Sequence, residues 1–170
     1  ASYDSRDNIF TPNSGSLFEL SATFHAPMFG ADASHQRFDA IGIHFQPLTE
    51  RLTLGVKGTI NATLGDTPFY ALPYVELRGV PAQRYQGETA ASLEAELRWQ
   101  FWNRFSLVGF AGVGSVGKSL MDLDEAVVAG GAGFRYELAR RHDLHMGMDF
   151  GVSEEDTALY VVFGSAWLRP

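Results

Sequence analysis

The stretch SLEAELRWQFW, residues 92–102, sets Leu93, Ala95, Leu97, Trp99 and Phe101 on one side of an extended chain and Ser92, Glu94, Glu96, Arg98 and Gln100 on the other. Successive side chains of a strand point to opposite faces, so this alternation specifies a β-strand with one apolar and one strongly polar face. Charges in the middle of a strand do not suit a dry core, where a charge needs both a partner and hydrogen bonds. The polar face therefore requires water or a network of partners. The apolar face requires a second packed layer or lipid.

The same pattern runs outward in both directions. Upstream, 52–64 opposes Leu54, Val56, Ile60 and Ala62 to Thr53, Gly55, Lys57, Thr59, Asn61 and Thr63. Segment 37–46 opposes Ile41, Ile43 and Phe45 to Ala40, Gly42, His44 and Gln46, with Gly42 expected to face inward, and 16–25 separates Phe18, Leu20, Ala22 and Phe24 from Glu19, Ser21, Thr23 and His25. Downstream, 105–114 is rich in small residues, Gly109, Ala111, Gly112 and Gly114 among them, and either facing suits it. Segment 126–138 places Val128, Phe134 and Tyr136 against Gly131, Gly133, Arg135 and Glu137, and 144–152 places Met146, Met148 and Phe150 against His145, Gly147, Asp149 and Gly151. The last, 158–167, has Leu159, Val161, Phe163 and Trp167 opposite Tyr160, Val162, Gly164 and Ala166.

This gives about eight strands of roughly ten residues, the length that crosses a bilayer when tilted. The connections at 47–50, 102–103 and 139–142 are short, those at 26–36 and 65–88 are long, and 116–124 is intermediate. Short turns at one end and longer loops at the other characterise outer-membrane barrels, and aromatic residues near strand ends, such as Trp99, Trp102 and Tyr136, suit an interfacial girdle. The expected fold is all-β: an antiparallel transmembrane β-barrel forming one domain over 1–170, with one long infolded loop. A soluble barrel with an apolar interior is the other reading of the same alternation.

The loop is DTPFYALPYVELRGVPAQRYQGE, residues 66–88, the longest run that cannot be a strand. Pro73, Pro81, Gly79 and Gly87 rule out continuous pairing. It nevertheless carries Phe69, Tyr70, Tyr74 and Tyr85, and its Arg78 and Arg84 need carboxylate partners wherever they are covered. A loop of that content folds back onto the strands.

Composition narrows the function classes. Among 170 residues there is no cysteine, which removes disulfides and thiolate chemistry, and the net charge of -7 gives no nucleic-acid footprint. GVGSVGKS at 112–119 satisfies the spacing of a phosphate loop, but no helical pattern follows it and strand–helix alternation is absent elsewhere. His142 and His145 with Asp143 and Asp149 have metal-like spacing, yet on a strand His145 and Asp149 share a face that His142 does not. No nucleophile elbow accompanies the serines. Arg98, Arg135, Glu137, His145 and Asp149 are read instead as a polar network lining the lumen. Neither enzymatic activity nor a cofactor or metal is expected.

Taken together, LRGVPAQRYQGETAASLEAELRWQFWNRFSLVGFAGVG at 77–114, GAGFRYEL at 131–138, LYVVFGSAW at 159–167 and the opening YDSRDNIFTPNSG at 3–15 resemble the C-terminal half of the bacterial surface antigen barrels, the BamA and TamA outer-membrane assembly family. The resemblance implies a barrel of about twice this many strands in the family, preceded there by periplasmic repeat domains that this chain does not show. It implies that Arg78, with Gly79, lies inside the barrel against the wall, with Glu96 as its acidic partner. The aromatic that usually follows the Arg-Gly pair is Val80 here. The aspartate usual two residues before a glycine on the next strand is Gly112 before Gly114, so the ion pair falls to Glu94 or Glu96. Tyr160, Phe163, Gly164 and Trp167 resemble a C-terminal assembly signal, though the chain runs on to Leu168, Arg169 and Pro170.

The implied function is a barrel in the bacterial outer membrane that assists insertion or translocation of other outer-membrane proteins. The implied partners are the lipid bilayer, the assembly machinery and client proteins, with no nucleic acid. A structural or surface-exposed barrel with a plugged lumen is one alternative, and a soluble ligand-binding barrel another. Open edges are prohibitive in a membrane, so closure is expected, either within one chain by pairing 16–25 with 158–167, or edge to edge in a homodimer.

Overall fold

Alternation in the sequence becomes one antiparallel sheet of nine strands in a computed structural model that describes residues 1–168 apart from 27, 29, 31 and 32. Part of the 26–36 connection and the terminal Arg169 and Pro170 thus lie outside the described residues. The strands are β1 (Ser2–Asp4), β2 (Gly15–His25), β3 (His35–Thr49), β4 (Leu52–Gly65), β5 (Thr89–Trp102), β6 (Phe105–Ser119), β7 (Asp122–Ala139), β8 (Leu144–Ser153) and β9 (Thr157–Phe163). Each pairs with its neighbours in sequence, which leaves β1 and β9 as the edges. No ladder joins those edges among the described residues, so the sheet is open. β1 is additional to the eight expected strands: it pairs Tyr3 with Phe18 and is too short for any periodicity to betray it.

Two boundaries differ from expectation. The connection expected at 116–124 is a two-residue turn, because β6 runs on to Ser119 and β7 starts at Asp122, with register shifts flanking Gly117 taking up the irregular spacing. The last strand stops at Phe163. Gly164 then adopts φ +76, a left-handed conformation in which glycine carries no Cβ penalty, and the chain turns off the strand line.

The two faces are inverted relative to a water-soluble sheet. Large apolar residues such as Leu20, Leu93, Leu97, Met148, Phe150 and Val161 stand exposed on the outer face, whereas Glu94, Glu96, Arg98, Arg135 and Asp149 are buried on the inner one. The facing of 105–114, open from sequence, is decided by the loop 66–88. Its Val75, Leu77 and Val80 pack on Ala90, Val116, Val127 and Ala129, and a Cβ on Gly112 would come within 2.7 Å of Leu77 Cδ2. Gly112 and Gly114 are the floor on which the loop rests, beneath Val75 and Leu77.

β3 faces opposite to expectation. Ile41, Ile43 and Phe45 point inward and Gly42 and His44 outward, because Trp167 supplies apolar surface inside: with Leu17 it completes a second buried cluster. The segment 5–14 crosses the short-turn end of the sheet, tied by Asn8 Nδ2 to the His142 carbonyl (3.0 Å) and by Arg98 Nη2 to the Pro12 carbonyl (2.7 Å). Ser165 N donates to the Phe10 carbonyl (2.5 Å), so this segment also touches the turn after β9.

Candidate functional site

Arg78 is carried into the interior by the loop's own packing. Val75 and Leu77 before it and Val80 after it are buried, so the guanidinium between them is held against the inner face of β5 and β8. Gly79 makes this approach feasible. Its φ is +99, and a Cβ there would meet Val152 N at 2.8 Å.

Around the guanidinium stand three carboxylates. Nε donates to Glu94 Oε1 (2.9 Å) and Nη1 to Asp149 Oδ2 (2.8 Å), and the Arg78 backbone N–H donates to Glu94 Oε2 (3.2 Å). Nη1 also lies 2.7 Å from Glu96 Oε2, and Nη2 lies 2.7 Å from Glu94 Oε1. Those last two contacts are ion pairs whose angles fall short of hydrogen bonds, so Nη2 and Glu96 Oε2 are held by charge alone. The Phe110 ring lies under the guanidinium, 3.8 Å from Cζ to centroid.

The clamp extends to the end of the chain. Arg135 grips Asp149 with both Nη atoms, the Nη2 contact to Oδ2 being 2.8 Å. Trp167 Nε1 donates to Glu94 Oε1 (2.7 Å), and the Gly79 N–H donates to Tyr160 Oη (2.9 Å). Glu94 therefore joins the loop to the chain terminus, and Tyr160 joins the loop to β9. Arg98, two positions from Glu96 on the same inward face, turns instead to the segment 5–14, its Nη2 donating to the Pro12 carbonyl and to Asn13 Oδ1 (both 2.7 Å).

The expected site residues thus separate. Arg78, Gly79, Glu94, Glu96, Arg135 and Asp149 meet, whereas Arg98, Glu137 and His145 line a small polar cavity of ≈ 100 Å³ at the short-turn end, with Asn13 and Asp143. The lumen network expected from sequence is therefore two groups. Asp149 as a partner of Arg78 was the missed contact; its signal was an inward acid between Gly147 and Gly151, where the loop has room to approach. His145 shares that inward face, but Asp149 is engaged by Arg78 and Arg135, and the side chains beside His145 are Arg98, Glu137 and Asp143.

Of the four C-terminal residues, Phe163 alone projects from the outer face. Tyr160 and Trp167 point inside, and Trp167 leaves the strand through Gly164 instead of continuing the alternation. At the opposite end Arg84 pairs with Glu155 (2.7 Å), a hydrogen bond that raises the guanidinium above its ordinary pKa. The arrangement is a set of ion pairs and hydrogen bonds centred on Arg78, Glu94 and Asp149. It can hold a loop, a strand and a terminus in one place.

Residues 1–137 match the Omp85 superfamily domain. The chain belongs to the Omp85 superfamily. Its match ends within β7, so the Arg78–Glu94–Glu96 side of the clamp lies inside the matched stretch and Asp149, Tyr160 and Trp167 lie beyond it. No curated protein matches the chain. Omp85 proteins are outer-membrane proteins of the BamA and TamA type, and the inverted faces of this sheet agree with a lipid environment.

Proposed function

We propose that this Omp85 chain is a transmembrane β-barrel component that assists insertion of other outer-membrane proteins, acting through strand pairing and not through covalent chemistry. The observation that carries this reading is the open sheet with free edges at β1 and β9. An unpaired strand edge is untenable in hydrocarbon, so each edge must either meet its counterpart or receive a strand from elsewhere. β9 is short at seven residues, which favours a seam that closes yet opens at modest cost. We take the resting closure to be β9 against the upper part of β2, beyond the residues that β1 covers, within one chain; β2 and β9 run antiparallel. The partners this implies are the bilayer, the assembly machinery and client barrels.

The experiment is the folding of a client barrel into liposomes with and without this protein. Accelerated folding that is lost when β9 is crosslinked to β2 supports the proposal. A client rate that the protein leaves unchanged overturns it. The second reading, a plugged structural barrel, draws on the Arg78 clamp and the buried Trp167, which fill the interior from two directions; it expects no acceleration in either state.

A further inference from the structure

The outer face has a gap near its short-turn end. From the rim upward the outward residues of β6 are Phe105, Leu107 and Gly109. In register beside them stand Trp99 and Leu97 on β5 and Tyr136, Phe134 and Ala132 on β7. The first two levels are filled by large side chains. The third falls away, since nothing lies within 4 Å of a Cβ built on Gly109 and Ala132 offers only a methyl group. The result is an apolar groove of ≈ 540 Å³ lined by Leu52, Leu97, Trp99, Leu107, Gly109 and Ala132.

Below this groove the β5–β6 turn carries Arg104, and the neighbouring β7–β8 turn carries Arg140 and Arg141. Arg104 Nη1 donates to Tyr136 Oη (3.5 Å), Arg140 Nη2 donates to Asn103 Oδ1 (2.7 Å), and Arg141 is exposed. The carboxylate facing them is Glu137, 3.8 Å from Arg140, while Asp143 of the same turn lines the inner cavity. Trp102 stands at this rim 70 % exposed. A strand rise of about 3.4 Å per residue puts Gly109 roughly 17 Å along β6 from Arg104, room for a glycerol backbone and the first methylenes between the charges and the groove.

We infer that this rim and groove together hold one glycerophospholipid, its phosphate on Arg104, Arg140 and Arg141 and one acyl chain over Gly109. Planar guanidinium forks match phosphate oxygens, and three arginines on two adjacent turns favour an anionic headgroup. Exposed tryptophan beside arginine suits the headgroup level of a bilayer. The inference rests on reading the outer face as lipid-facing.

Native mass spectrometry of the detergent-solubilised full chain, titrated with phosphatidylglycerol, tests it, with diacylglycerol and inorganic phosphate as separate arms. One phosphatidylglycerol should be retained, with neither control held comparably. Replacing the arginines together (Arg104→Gln, Arg140→Gln, Arg141→Gln) should lower retention about tenfold or more, the equivalent of losing at least one charge-assisted hydrogen bond. Gly109→Leu, which enters open space and leaves the fold intact, should lower it as well, and Arg84→Gln at the far end should not. Wild-type retention in the triple variant and in Gly109→Leu overturns the inference, as does equal retention of diacylglycerol or inorganic phosphate. If the chain is monodisperse without detergent, the lipid-facing reading falls with it; if it needs detergent but holds phosphatidylglycerol no better than diacylglycerol, the lipid site alone falls.

Discussion

Arg78 touches three carboxylates on two strands, hydrogen-bonding Glu94 and Asp149 and pairing with Glu96 by charge, and this makes it the residue whose loss is felt furthest. Arg78→Ala would leave Glu94, Glu96 and Asp149 sharing the remaining arginines, a change worth about 3–5 kcal/mol when a buried pair loses one partner. The loop 66–88 should then become protease-sensitive and the thermal transition should fall. Arg78→Lys should recover part of the loss, since a point charge keeps the attraction but not the fork that spans Glu94 and Asp149. Unchanged protection of the loop in both variants would show that the clamp does not hold it. From the sequence, the pairing of Arg78 with Glu94 or Glu96 was legible through the resemblance to the family, with alternation putting both acids on one face and Gly112 standing where the resemblance would supply another. The contact with Asp149 was not: it depends on how far the sheet curls to bring β8 to a loop that precedes β5, and no periodicity encodes that distance.

At the scale of the element, alternation gave the facing correctly where one side was charged and failed where both sides were weakly polar. β5 and β8 carry acids and arginines that could go only to the inner face. β3 carries isoleucines against glycine and histidine, and its orientation is settled by Trp167 arriving from the far end of the chain. The turn at Leu120 and Met121 was misjudged for a related reason: GKSLMDLDE reads as polar loop, but its backbone groups continue the β6–β7 ladder through a register shift. The facing of β5 is open to a direct check. Leu93→Arg, on the outer side near mid-strand, should cost about 2–4 kcal/mol in folding into lipid vesicles if it lies at the bilayer midplane. Leu120→Arg, in the exposed turn, should be close to neutral. Thr59→Arg on the inner face should also be costly, because Thr59 is buried and bonded to Ser92 (2.6 Å). Equal effects at Leu93 and Leu120 would count against the lipid-facing assignment.

For the molecule as a whole the issue is what meets the edges. Cysteine pairs with one member at Ala22 or Phe24 and the other at Leu159 or Val161 should crosslink within a single chain if β9 closes toward β2, because a disulfide tolerates Cα separations of only about 4.4–6.8 Å. Crosslinks found solely between chains would establish the edge-to-edge homodimer instead. The order of the strands was readable in advance because each is joined to its neighbour by chain; closure was not, because it depends on two edges that no local pattern relates. One consequence of the filled interior is electrical. The loop enters from the long-loop end, the terminus carries Trp167 in behind β3, and the segment 5–14 lies across the short-turn mouth. In the closed barrel proposed above, ions would find no continuous aqueous path, so planar-bilayer recordings should show a silent protein, and steady conductance should emerge in Arg78→Ala as the loop swings free. Open-channel current from the wild type would mean that the loop and the terminus leave the pore of their own accord.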